Sequence, residues 1–203
     1  RTLIGYRCKM TDLQPEPGGT VRGTAVVLRS SDEGATWTHS TAPVYGLPFT
    51  RGNQLVSLWG HAVHTRDGRL LWPIYSREGN TISGLVTSAD RGRSFRWHAE
   101  LCPDESVGER REPGLARTRS GDLLVVLRCG TDPTHPMVAV RSSDDGETWS
   151  PPRSLKHPGV CPQLLLLRNG ALVCSYGTRR YLHVIADLQG EGDEWTDPLV
   201  LYQ

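Results

Sequence analysis

The chain has 203 residues, 37% hydrophobic and 22% charged, with a formal net charge of +1. That describes a globular protein long enough to bury a sizeable core and short enough for one domain. A charge near zero argues against nucleic acid or an anionic membrane as the main partner, and no apolar run approaches the length of a membrane span.

Nearly all the cations are Arg, with Lys9 and Lys156 the exceptions, which leaves many planar, bidentate receptors for carboxylates. The five Cys, at 8, 102, 129, 161 and 174, are an odd number at scattered spacings with no CxxC pair. They fit neither a disulfide framework nor a zinc site and read as buried free thiols, with a single disulfide as the alternative. The start at Arg1, without initiator Met or signal peptide, is expected of a processed or trimmed end.

In chain order, "TLIGYR" (2–7) reads as a strand ending at Arg7, followed by a loop with Asp12, Glu16 and the turn sequence "EPGG" (16–19). Next comes the box "SSDEGATW" (30–37). "GHAVHT" (60–65) and "RDGRLLWPIY" (66–75) are two short runs around an Asp-Gly turn, the pattern of a β-hairpin. The box then returns loosely as "SADRGRSF" (88–95). "PGLART" with "SGDLLVVLR" (120–128) forms another hairpin, "MVAVRS" (137–142) a third strand, and "SSDDGETW" (142–149) the box again. "PQLLLL" with "RNGALVCSYG" (168–177) repeats the hairpin, and "LQGEGDEW" (188–195) is a degraded box in which Gly190 replaces the Asp.

The box Asp thus falls at Asp32, Asp90 and Asp144, a period typical of blade-like repeats. Each repeat is a hairpin, a third strand, a box turn and a fourth strand, and no segment has a capped helical period. The predicted fold class is all-β: a β-propeller of four-stranded antiparallel blades. Blades are expected at roughly 1–50, 51–105, 106–157 and 158–203, just under four in all, within a single partial domain. In each box the Asp accepts turn N–H groups, the Gly supplies positive φ, and Trp37 or Trp149 offers an apolar wedge to bury. The boxes are structural.

Antiparallel geometry puts the hairpin turns and box turns at one end of each blade, so the functional rim lies at the other. It collects Glu112 and Arg128 from the third blade, His61, Tyr75 and Arg77 from the second, and Gln163, Tyr176, Arg179 and Arg180 from the last. Arg7, Asp12 and Glu16 join them from the N-terminal segment. Clustered Arg at a concave site suit an anionic carboxylate or phosphate ligand. His61 and His64 form H-x-x-H, but on a strand that spacing points the rings to opposite faces, so no metal and no cofactor are expected.

These motifs resemble the sialidase (neuraminidase) superfamily of six-bladed box-repeat propellers. The resemblance rests on the three boxes, on "REPGLARTRSGDLLVVLR" (111–128), where a Glu starts one strand and an Arg ends its hairpin partner, and on "GYRCKMTD" (5–12). It implies that Glu112 polarises a Tyr nucleophile, that Arg128 and Arg179 or Arg180 clamp a sialic acid carboxylate, that Asp12 is the acid/base and Arg7 an auxiliary binder. A sialoside carries a carboxylate on its anomeric carbon, which repels a carboxylate nucleophile; sialidases use Tyr instead. That Tyr is expected beyond Gln203, and missing blades from the rest of the chain or from a partner. The expected partner is a glycan or sialoglycoconjugate. Two other readings stand beside it: a glycosidase on another polysaccharide, pairing Asp12 or Glu16 with Glu112, and a non-catalytic propeller that binds glycans or proteins.

Overall fold

The computed structural model describes residues 3–6, 10–48, 56–76, 81–103, 108–130, 134–178 and 180–202. Among them the secondary structure is strand and turn, with no helix. The strands fall into two compact units, Arg1–His98 and Ala99–Gln203.

In the first unit, β1 (Leu3–Tyr6) and β2 (Thr11–Pro15) share one side of β3 (Val21–Ser30): Ile4 stands opposite Arg29, and Gln14 opposite Arg22. β4 (Thr38–Leu47) pairs the other side. β5 (Val56–Leu58) and β6 (Val63–His64) both pair β7 (Leu70–Ser76), which pairs β8 (Ser83–Ser88), next to β9 (Phe95–Glu100). A two-residue parallel bridge, Val44–Tyr45 with Phe95–Arg96, joins β4 to β9, so both groups share one nine-stranded sheet. Alternating residues of β3 point inward, Val21, Ala25 and Val27 being buried while Arg22 is exposed. β7 is buried along its whole length, the mark of a strand covered on both faces. Trp72 and Phe95 meet edge to face at 6.0 Å within this core.

In the second unit, β10 (Arg110–Arg117), β11 (Leu123–Cys129), β12 (Pro136–Ser142) and β13 (Arg153–Pro158) form one antiparallel four-stranded sheet. β14 (Val160–Leu166), β15 (Leu172–Gly177), β16 (Leu182–Asp187) and β17 (Leu199–Tyr202) form another. One apolar cluster draws on both, with Leu124, Val126 and Ala139 against Leu164, Leu172 and Ile185. Cys129 and Cys174 are buried thiols, each pushed up to about 12 by desolvation. The sheets join closely where β10 meets β14: a Cβ on Gly114 would sit 2.5 Å from the Pro162 carbonyl oxygen, so only glycine fits.

The box turns repeat one hydrogen-bond scheme. Asp32 accepts from Ser30 Oγ (2.7 Å), Thr36 N (2.9 Å) and Thr36 Oγ1 (2.5 Å), while Gly34 N donates to Ser30 Oγ (2.8 Å). Asp90 and Asp144 repeat it with Ser88 and Ser94, and with Ser142 and Thr148. The residue after each Asp (Glu33, Arg91, Asp145) also has positive φ, as does the box Gly.

Two expectations need correction. Trp37 is not a buried wedge: it is 45% exposed, its Nε1 donating to the Gly34 carbonyl (3.0 Å), and Trp149 is half-buried with the same bond to Gly146 (3.2 Å). Phe95, in the second box, is the aromatic that reaches the core. In the fourth turn the acceptor is moved rather than lost. Buried Asp187 takes N–H bonds from Gln189, Gly190, Asp193 and Glu194 at 2.7–3.2 Å.

Candidate functional site

The best-formed polar cluster at the rim end grows from the β10–β11 hairpin. Arg110 pairs with Cys129 and Arg111 with Arg128, then the register slips before Gly114 pairs with Val126. Glu112 sits in that bulge with φ 54°, followed by Pro113, which cannot donate to the ladder. The bulge turns the Glu112 carboxylate back toward the hairpin partner. Arg128 Nη1 donates to Glu112 Oε1 at 3.2 Å, with side-chain exposures of 14% and 3%. Glu112 Oε2 accepts the Cys161 backbone N–H at 2.8 Å. Cys161 lies in the equivalent bulge of β14, with φ 52° between Val160 and Gln163 and Pro162 next.

Beside this pair, Arg111 forms an ion pair with Glu109 (2.5 Å) and Arg110 is buried. Arg111 and Arg128, opposite one another in the ladder, are thus each held by a carboxylate, Glu109 and Glu112, while Arg110 pairs with Cys129 one step along. Sequence reasoning paired Glu112 with Arg128 and missed Arg111 and the bulge; the Glu-Pro step inside a strand is the signal that marks it.

Tyr176 is not an exposed rim residue. Its ring is buried, stacked on His183 (5.2 Å, 17°) with His157 also against it (6.4 Å), and burial raises its pKa. A Cβ on Gly159 would meet it at 2.5 Å, so Tyr176 is a packing group of its sheet. Arg180 is exposed in the β15–β16 loop. Arg179 lies outside the described residues, as do Arg7 and Arg77.

The first unit holds the remaining candidates. Asp12 is exposed and occupies a bulge of β2 with φ 54°, the same local geometry as Glu112. Glu16 is half-buried, and its Oε2 takes the Gly46 N–H at 2.7 Å, which ties the β2–β3 turn to β4 and leaves Asp12 the more accessible carboxylate. His61 is exposed between β5 and β6. Tyr75 is buried edge to face against Trp59 (5.4 Å), so it too packs rather than lines a mouth.

No curated protein matches this sequence. Among solved structures, a protein of unknown function from Dyadobacter fermentans superposes with a TM-score of 0.70 at 19% identity, over 94% of this chain and 63% of that one. The NanB sialidase of Streptococcus pneumoniae gives 0.63 at 16%, over 89% and 29%. A family 43 glycoside hydrolase, an arabinoxylan arabinofuranohydrolase from Bacillus subtilis, gives 0.64 at 12%, over 96% and 49%. The chain thus spans less than two thirds of each of these proteins, and the likeness is one of fold. It is all-β and has the architecture of a partial sialidase-like β-propeller. In sequence, residues 10–203 match the BNR repeat-like domain, and the chain belongs to that family.

Proposed function

We propose that this protein is a sialidase-like exo-glycoside hydrolase that removes a terminal acidic sugar from glycoconjugates with retention. The observation that carries the reading is the Glu112–Arg128 pair, a buried carboxylate and a guanidinium held 3.2 Å apart at the end of a hairpin. In this reading Arg128 holds the sugar carboxylate bidentately, and Glu112 takes the phenolic proton of a Tyr nucleophile that the reading expects outside residues 1–203. Cys161 N–H and Arg128 orient Glu112 by occupying one carboxylate oxygen each. Asp12, exposed at its bulge, is the acid/base, with Arg7, Arg179 and Arg180 as further carboxylate binders.

The test is hydrolysis of a fluorogenic sialoside by the full-length protein. Cleavage that falls by at least about a thousandfold in Glu112→Gln and in Arg128→Ala, with both variants folded, supports the assignment. Cleavage of an arabinofuranoside with no action on the sialoside overturns the substrate, and glycan binding without any hydrolysis overturns the enzyme.

A further inference from the structure

The box end of the first unit holds a concavity, about 460 Å³ in volume. Its charged walls are Arg29 from β3, His64 from β6, and Arg91 and Arg93 from the second box; among the described residues no Asp or Glu lines it. Arg29 is held in place by neutral groups, donating from Nη1 to Ser40 Oγ (2.5 Å) and from Nη2 to the Gly92 carbonyl (2.6 Å). Arg91 and Arg93 are exposed and have no carboxylate partner among the described residues. The volume falls within the range of small-molecule sites.

The second unit repeats these positions with the opposite charge. Arg29 and Arg141 each precede the box Ser, and each reaches the turn of the following repeat. Arg141 finds carboxylates there: Nη2 donates to Asp193 Oδ1 at 3.0 Å, and Nη1 lies 3.5 Å from Glu191 Oε2. Glu191 and Asp193 flank Gly192 as Arg91 and Arg93 flank Gly92. His64 holds the place of Arg117, both just before the Thr that opens the hairpin turn. Arg117 pairs with Asp145 at 2.8 Å, and the residue after the box Asp in the second box, where Asp145 stands in the third, is Arg91. In the second unit each of these arginines has an internal carboxylate. In the first, the positions that would supply it carry guanidinium groups.

We propose that this pocket binds a multiply charged oxyanion, a phosphate or sulfate group, whose oxygens take the place that Glu191 and Asp193 hold around Arg141. Three guanidiniums lining one pocket, with no Asp or Glu among its described lining residues, suit a tetrahedral dianion, which can accept hydrogen bonds from several of them, better than a single carboxylate. The pocket shares no residue with the Glu112–Arg128 cluster, and the proposal does not depend on the glycosidase reading.

The experiment titrates the full-length protein calorimetrically with inorganic sulfate, inorganic phosphate, acetate and glucose 6-sulfate at matched ionic strength. Saturable sulfate and phosphate binding, at least about tenfold tighter than acetate, is expected. Tighter binding of glucose 6-sulfate than of sulfate would assign the group to a sulfated glycan, and equal or weaker binding to the free ion. The double variant Arg91→Glu/Arg93→Asp copies the fourth turn and should lose binding at least tenfold while melting no lower than the parent. Glu is tolerated at that backbone position, since Glu33 adopts φ 59° in the first box. Arg91→Gln/Arg93→Gln, which keeps neutral donors, should weaken binding without new ion pairs. Binding unchanged in both variants, or acetate equal to sulfate, would overturn the proposal.

Discussion

Arg128 faces Arg111 across the β10–β11 ladder, yet its guanidinium is held by Glu112, the next residue along, because the bulge there swings the carboxylate back over the strand pair. Like charges opposite one another destabilise a sheet, and here Glu112 and Glu109 offset the paired arginines. Glu112→Ala removes the acceptor of Cys161 N–H and leaves Arg128 charged and largely buried. We expect a loss of about 3–5 kcal/mol, the usual consequence of breaking a buried pair from one side. Glu112→Gln keeps an acceptor oxygen and should cost about 1–3 kcal/mol. Urea unfolding checks both, and an unshifted midpoint for the Ala variant would show that the pair does not hold the hairpin.

Gly114 lets β10 lie against β14, and that approach brings Cys161 N–H to Glu112. With a Cβ placed 2.5 Å from the Pro162 carbonyl, Gly114→Ala must push the strands apart. The expected destabilisation is about 1–3 kcal/mol. In an active protein the same substitution should lower kcat more than it raises KM, because it displaces a positioning contact of Glu112. Parallel melts and kinetics separate the two effects.

The repeat was legible in the sequence because a turn needs particular side chains at fixed offsets. Ser30, Asp32, Gly34 and Thr36 each make the bond that their type suggests, and the copies at 88–95 and 142–149 follow. Alternation and Gly turns likewise marked the strands. Bulges were only partly legible: Pro113 and Pro162 mark a broken ladder after Glu112 and Cys161, but nothing in the types of Asp12, Glu112 and Cys161 announces a positive φ, and backbone register decides it. Nor was burial at the rim. Tyr75 and Tyr176 lie near strand ends, where sequence position suggests exposure, but Trp59 and the His157–His183 pair pack over them.

The fourth turn shows how a degraded motif keeps its function. Gly190 stands at the box Asp position because a Cβ there would meet the Gly170 carbonyl at 2.1 Å. Asp187 supplies the carboxylate from three residues upstream. Gly190→Asp, which restores the box by sequence, should therefore destabilise the protein, by about 1–3 kcal/mol from overpacking. Asp187→Ala should cost a similar amount, about 1–3 kcal/mol, by stranding turn N–H groups. Thermal melts of the two variants decide it, and a more stable Gly190→Asp protein would refute the steric argument.

The box aromatics should differ sharply on truncation. Phe95 is fully buried against Trp72, whereas Trp37 lies exposed over β1, its ring 3.6 Å from where a Cβ of Gly5 would stand. Phe95→Ala is expected to cost about 3–5 kcal/mol and Trp37→Ala under about 1 kcal/mol. Equal losses would mean that the shared motif, rather than burial, sets the energy.

Acid should weaken the turns first. Burial works to raise the pKa of Asp90, but the Ser94 hydroxyl and N–H, the Ser88 hydroxyl and the Arg93 N–H outweigh it and hold the value at about 2, against 3.8 in an unfolded chain. Asp32 and Asp144 are lowered to about 2 as well, chiefly by the Thr36 and Thr148 hydroxyls. The unfolded chain binds protons more readily than the folded one. The stabilisation from these groups is therefore complete above the unfolded value and is lost as pH falls through 3.8 toward about 2. Unfolding midpoints measured from about pH 5 down to about pH 2 should drop steeply in the parent. They should drop less in Asp90→Asn, which has no proton to take up at that turn and starts from a lower stability. Identical slopes would place the acid sensitivity in other carboxylates, with Asp187, also lowered by its turn N–H groups against the effect of burial, the next to substitute.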